Sequence, residues 1–184
     1  MQMRDNGLRF SPITIVLHWL VAALLFSIIG LGIARATGLA AEEAAALARL
    51  QNLFGTVLFV ISIYRFWARV TSWHPLPVGT PNPVEVIASR SVATALALAM
   101  VLLPIAVWLS RSAAGEVISL PGGFFIPPLI EPDAALRAVV DVLFNIGATA
   151  FLAGLALHMF GAWKNHFILK NAALKRMLGK HVEL

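Results

Sequence analysis

The sequence predicts an all-α membrane protein, a four-helix antiparallel bundle with both termini in the cytoplasm. Three observations point there. Hydrophobic residues make up 59% of the 184 residues and charged residues only 12%, against a usual charged share of about 25%. Four stretches approach or exceed the run of about 20 apolar residues that a spanning helix needs. The basic residues also gather in alternate connections, as they do in multi-pass membrane proteins.

The first stretch runs roughly over 12–34 and opens at Ser11-Pro12. Serine caps a helix and proline suits its first position. The stretch is too long for the core of a signal peptide, and no small-residue cleavage site ends it. The second covers roughly 47–68. The third, roughly 87–109, follows a proline-rich connection and contains Pro104, which should kink it; membrane helices tolerate this better than soluble ones. The fourth, roughly 137–163, follows Pro127-Pro128 and Glu131-Pro132-Asp133. The loop at 110–135 is rich in Gly and Pro and should fold as a short cap on the outer face. The tail at 164–184 is basic and suits the inner membrane surface. The whole chain, 1–184, reads as a single transmembrane domain without internal repeats.

Charge sets the orientation. Arg4, Arg9, Arg65, Arg69, Arg90, Lys164, Lys170, Lys175, Arg176 and Lys180 fall on one side. Arg35, Arg49, Arg111 and Arg137 fall on the other, with Glu42, Glu43, Glu116, Glu131, Asp133 and Asp141. The positive-inside rule places the first group, and both termini, in the cytoplasm. This topology accounts for the net charge of +5 better than nucleic-acid binding does. Trp19, Trp67, Trp73, Trp108 and Trp163 fall near span ends. The absence of cysteine excludes disulfide scaffolds, thiolate-held clusters and thiol catalysis. No Ser-His-Asp set, catalytic carboxylate pair or phosphate loop is present. With no inverted repeat and no charged path, a transporter is disfavoured.

Two histidines lie well inside spans. His18 is about 10 Å into the first helix, and His158 is about one and a half turns from the end of the fourth. The helices run in opposite senses, so both imidazoles sit at similar depth on the cytoplasmic half. Two neutral imidazoles at matched depth suit the axial positions of a haem b and an electron-transfer role. The alternative is a pair that hydrogen-bonds across the bundle. A zinc site lacks a third ligand at that depth. Ala22, Gly154 and Gly161 would leave room for a flat macrocycle, although small residues also serve helix packing. His166 is an interfacial histidine or a hydrogen-bond partner for a quinone head group, and His74 reads as a loop residue.

The chain resembles the bacterial cytochrome b561 group of four-helix membrane haem proteins. The resemblance is carried by Arg9-Phe10-Ser11-Pro12 leading to His18-Trp19, and by Gly55 followed by Arg65 and Arg69. Pro104, the Gly115–Pro128 loop with Pro121-Gly122-Gly123, Leu157-His158, His166 and Lys175-Arg176-Met177 continue it. It covers nearly the whole chain and implies a multi-pass protein of the bacterial inner membrane. It carries an inner haem pair onto His18 and His158. The outer pair of the two-haem members falls on Gln51 and Phe144, and a third-helix histidine falls on Ala93.

The resemblance therefore implies one haem b per chain, with His18 and His158 as metal ligands. Arg9, Arg69 and Lys164 are candidates for the propionates. Asn145 and Gln51 would hydrogen-bond to each other or to water where a second haem would lie. The expected role is electron transfer near the cytoplasmic face, with quinone as a candidate partner. Superoxide:quinone oxidoreductase activity, found in some relatives, is disfavoured without outer ligands. The alternative is a non-catalytic accessory subunit of a larger respiratory or photosynthetic membrane complex, with a vestigial or structural haem.

Overall fold

The computed structural model describes Asp5, residues 9–72 and residues 82–180. It holds four long helices: α1 (Pro12–Arg35), α2 (Ala41–Thr71), α3 (Pro83–Ala113) and α4 (Ala134–Trp163). Two-residue strands β1 (Ile118–Ser119) and β2 (Phe125–Ile126) lie between α3 and α4, and a short helix, α5 (Ala173–Met177), follows α4. All four long helices are apolar and long enough to cross a membrane. The protein is an all-α four-helix membrane bundle.

The helices are longer than the apolar stretches that signal them. α2 begins at Ala41 rather than near 47, because Glu42 and Glu43 occupy its first turn, where carboxylates complement the positive end of the helix dipole. α3 begins at Pro83 rather than near 87 and continues through Pro104. At the start of α1, Ser11 Oγ accepts the Thr14 N–H at 3.1 Å. The Asp5 carboxylate accepts from the Ser11 N–H at 2.7 Å and the Thr14 hydroxyl at 2.8 Å. Two of the unpaired donors that every helix start leaves are thereby satisfied.

The chain divides into two compact units, and each long helix contributes to both. One comprises the chain up to Trp19, Ile63–Ala99 and Thr149 onward; the other comprises Leu20–Ser62 and Met100–Ala148. Few apolar side chains are buried, among them Val21, Leu58, Leu96, Val140 and Phe151. Large ones such as Ile33, Val60, Leu143 and Phe160 are more than half exposed. A water-soluble surface would not carry so many, whereas in a bilayer these faces meet lipid at no cost. The drive for packing is then close backbone approach, which small residues permit.

That approach is visible between α3 and α4. In the first unit, a Cβ on Gly154 would stand 3.3 Å from Leu96 Cδ2; in the second, a Cβ on Gly147 would stand 3.3 Å from Leu103 Cδ2. In each unit a glycine of α4 lets a leucine of α3 seat where a side chain would otherwise stand.

In the second unit, the connection from α3 to α4 forms a pinned hairpin. Ile118 pairs with Ile126 and Ser119 with Phe125. Gly122 and Gly123, at φ of 76° and 80°, make a reversal that side-chain-bearing residues enter only with strain. Asn52 of α2 donates to the Ser119 carbonyl at 2.9 Å, and Trp108 of α3 donates to the Pro127 carbonyl at 2.9 Å. The fully buried Ser112 hydroxyl accepts the Leu129 N–H at 2.9 Å.

In the first unit, α4 runs on as a π-turn over Lys164–Ile168, and Lys170 adopts φ 49°. Asn165 donates to the Gly161 carbonyl at 2.8 Å and accepts from the Asn171 amide. Asn171 in turn caps α5 through the Ala173 N–H at 3.0 Å.

Overpacking the α3–α4 seam is the sensitive change. Gly154→Val is expected to cost about 1–3 kcal/mol, read as a lower thermal unfolding midpoint in detergent. Gly30→Ala, where an added methyl meets nothing within 4 Å, should leave the midpoint unchanged or slightly higher.

Candidate functional site

The candidate site lies within the first unit. His18 on α1 and His158 on α4 face each other with ring centroids 6.1 Å apart and planes inclined at 59°. His18 is half-buried and His158 is exposed. Trp19 stands edge-on to His18, 5.5 Å between centroids. Among the described residues, the His158 ring nitrogens have no hydrogen-bond partner in the protein. An unpartnered imidazole on a membrane helix is costly, since no water offers an alternative in hydrocarbon.

The flanking cations are held by backbone and hydroxyl groups. Arg65 Nη1 donates to the Leu17 carbonyl at 3.1 Å, and its Nη2 lies 3.4 Å from His18 Nδ1. Arg69, one turn further along α2, donates through Nε to the Thr94 hydroxyl at 3.1 Å and through Nη2 to the Arg90 carbonyl at 3.4 Å. Lys164 pairs with the Glu85 carboxylate at 3.0 Å, a half-exposed bridge of small energetic weight. Neither Arg65 nor Arg69 meets a carboxylate among the described residues.

The tail closes onto the same unit. Trp19 Nε1 donates to the Met177 carbonyl at 2.8 Å, joining the residue after His18 to the end of α5. The Arg176 guanidinium lies 5.9 Å from the centre of the Phe10 ring, within cation–π range. Partial burial pushes its pKa down from the ordinary arginine value.

A family model described as prokaryotic cytochrome b561 matches residues 9–180. Cytochrome b561 homolog 2 of Escherichia coli (strain K12) is 30% identical over 181 residues, spanning 98% of this chain and 96% of that protein. The chain belongs to the prokaryotic cytochrome b561 family. It is therefore a multi-pass protein of the bacterial inner membrane and a b-type cytochrome, binding haem and taking part in electron transport.

The facing imidazoles fit that haem. A metal–imidazole bond is about 2 Å long, so two rings on opposite sides of one metal stand roughly 6 Å apart between centres. The observed 6.1 Å is that spacing. Among the described residues no cluster of three or more His, Asp or Glu side chains is placed to hold a metal ion. The small residues divide in role. Gly154 is filled by Leu96, whereas a Cβ on Gly161 would meet nothing within 4 Å, leaving space three residues beyond His158.

The structure brings together His18 and His158, while Arg69 and Lys164 turn to α3. Arg9 is exposed but not without partners. His166 is half-buried with its ring edge-on to Phe167 at 4.7 Å. His74 and Trp73 lie outside the described residues. Sequence reasoning missed Arg65 as a site residue, treating it as a topology charge and part of the family pattern. The available signal was its spacing: four residues before Arg69, it shares that helix face.

Separately, in the second unit, the amide of Gln51 is committed to helix packing. Its Nε2 donates to the Ile28 carbonyl at 3.0 Å and its Oε1 accepts from Arg35 at 2.8 Å. A Cβ on Gly32 would stand 3.1 Å from that Nε2. Phe144 is half-buried.

Removing the Trp19–Met177 hydrogen bond tests the tail's attachment. Trp19→Phe should weaken docking of α5 by about 1 kcal/mol, seen as several-fold faster proteolytic cleavage beyond residue 170 with the rest of the chain intact.

Proposed function

We propose that the chain carries one haem b, ligated by His18 and His158, and that this haem relays electrons near the cytoplasmic face. The observation that carries the proposal is the 6.1 Å spacing of the two rings, with the His158 ring nitrogens making no hydrogen bond among the described residues. When bound, the haem supplies a one-electron carrier. Two imidazole ligands leave no open position on the iron, which favours electron transfer over oxygen binding.

Arg9, Arg69 and Lys164 are proposed to neutralise the propionates. For Arg69, the support is a guanidinium that, among the described residues, bonds to a hydroxyl and a carbonyl and to no carboxylate. Such a charge is better compensated by an anion. Lys164 would exchange its exposed Glu85 partner at little cost.

The single-haem reading rests on Gln51 and Phe144. These stand where two-haem members of the family supply the outer ligands. Gln51 is held by Ile28 and Arg35, and a phenyl ring has no lone pair for iron. With no outer pair, a relay across the whole bilayer is interrupted. We therefore favour exchange with a quinone or a protein partner on the inner side, both termini being cytoplasmic, over superoxide oxidation on the outer face. The chain as one transmembrane domain belongs to the same proposal, and His166 is read as an interfacial histidine.

Pyridine haemochrome assay of the purified protein is expected to give one haem per chain. His18→Ala and His158→Ala should each abolish the low-spin b-type spectrum. Two haems per chain would sink the single-haem reading. Unchanged turnover of a co-purifying respiratory or photosynthetic complex after either substitution would favour the accessory-subunit role.

A further inference from the structure

We infer that Arg65 sets a fixed positive charge beside His18 and raises the electron affinity of the haem that His18 would hold. The inference rests on His18 being a haem ligand. Arg65 is anchored on α1 by donating to the Leu17 carbonyl at 3.1 Å, which leaves its Nη2 3.4 Å from His18 Nδ1. With Nδ1 turned to Arg65, Nε2 is the ring nitrogen left for iron. A neutral imidazole that ligates through Nε2 keeps its proton on Nδ1, so it accepts no hydrogen bond from the guanidinium, and the cation acts through its charge.

The sign of the charge is the unusual part. A ligating histidine ordinarily presents its second ring nitrogen to a carboxylate, carbonyl or water, which makes the ligand more electron-donating. His18 faces a cation. Ion pairs among the described residues join Arg111 to Glu116, Arg137 to Asp141 and Lys164 to Glu85, and Arg65 meets no carboxylate among the described residues. Reduction of ferric to ferrous haem lowers the site's charge by one. A cation held in a low-dielectric surrounding stabilises the reduced state over the oxidised one. His158 lacks any such contact among the described residues, so the two ligands are inequivalent.

The test uses full-length, haem-loaded protein in detergent, with Arg65→Gln removing the charge and Arg65→Lys keeping it without the fork. Arg65→Gln should lower the haem's electron affinity about tenfold, a midpoint shift of about 59 mV downward for a one-electron couple. Arg65→Lys should recover the midpoint. A wild-type midpoint in Arg65→Gln would overturn the inference, as would a full midpoint drop persisting in Arg65→Lys. Loss of both haem and helix in both variants would make Arg65 a folding residue only. Wild-type protein that binds no haem would sink the haem reading itself, a separate outcome.

Discussion

Inside hydrocarbon a polar side chain has no water to turn to, so it must find its partner in the protein. Much else in this structure follows from that constraint. The polar residues of the long helices repeatedly reach a backbone carbonyl on another element. Gln51 reaches Ile28, Arg65 reaches Leu17, Asn52 reaches Ser119, Trp108 reaches Pro127 and Trp19 reaches Met177. Each bond ties two elements together where apolar burial cannot, because lipid is as good a neighbour as another helix. Against that background the rings of His18 and His158 stand out. One faces a cation and the other has no hydrogen-bond partner among the described residues, an arrangement that makes physical sense once a metal is placed between them.

The same constraint explains why Gln51 matters although it is not a proposed ligand. Its amide is committed to bonds to α1, and it packs closely over Gly32, where a Cβ would stand 3.1 Å from its Nε2. The amide thereby clamps α2 to α1 within the second unit, and the same commitment supports the proposed single haem.

How legible the site was differs by residue. His18 and His158 were readable because ionisable groups are rare in these spans and their depths could be computed from helix rise alone. Gln51 and Phe144 were singled out by the resemblance alone, not by any physical quantity of their helices. Arg65 was not readable, because its value in charge counting hid its proximity to a ring on another helix. Nor was Gly154, whose small size suits a macrocycle edge and a leucine knob equally well. Sequence spacing cannot choose between them; the neighbour, Leu96, does. The helix bounds were legible only in part, since polar first turns such as Glu42-Glu43 extend a helix beyond its apolar run.

Composition and periodicity by themselves determined that this chain is a four-span membrane protein and singled out two histidines at matched depth. Those follow from local quantities: apolar run length, charge distribution and rise per residue. Tertiary structure alone decided which side chains meet. It set the two imidazoles face to face, 6.1 Å between centres, turned Arg65 toward His18, and paired Lys164 with Glu85. Such contacts depend on how each helix is rotated about its axis and on which backbone approaches are close enough, and no single helix's sequence carries that information.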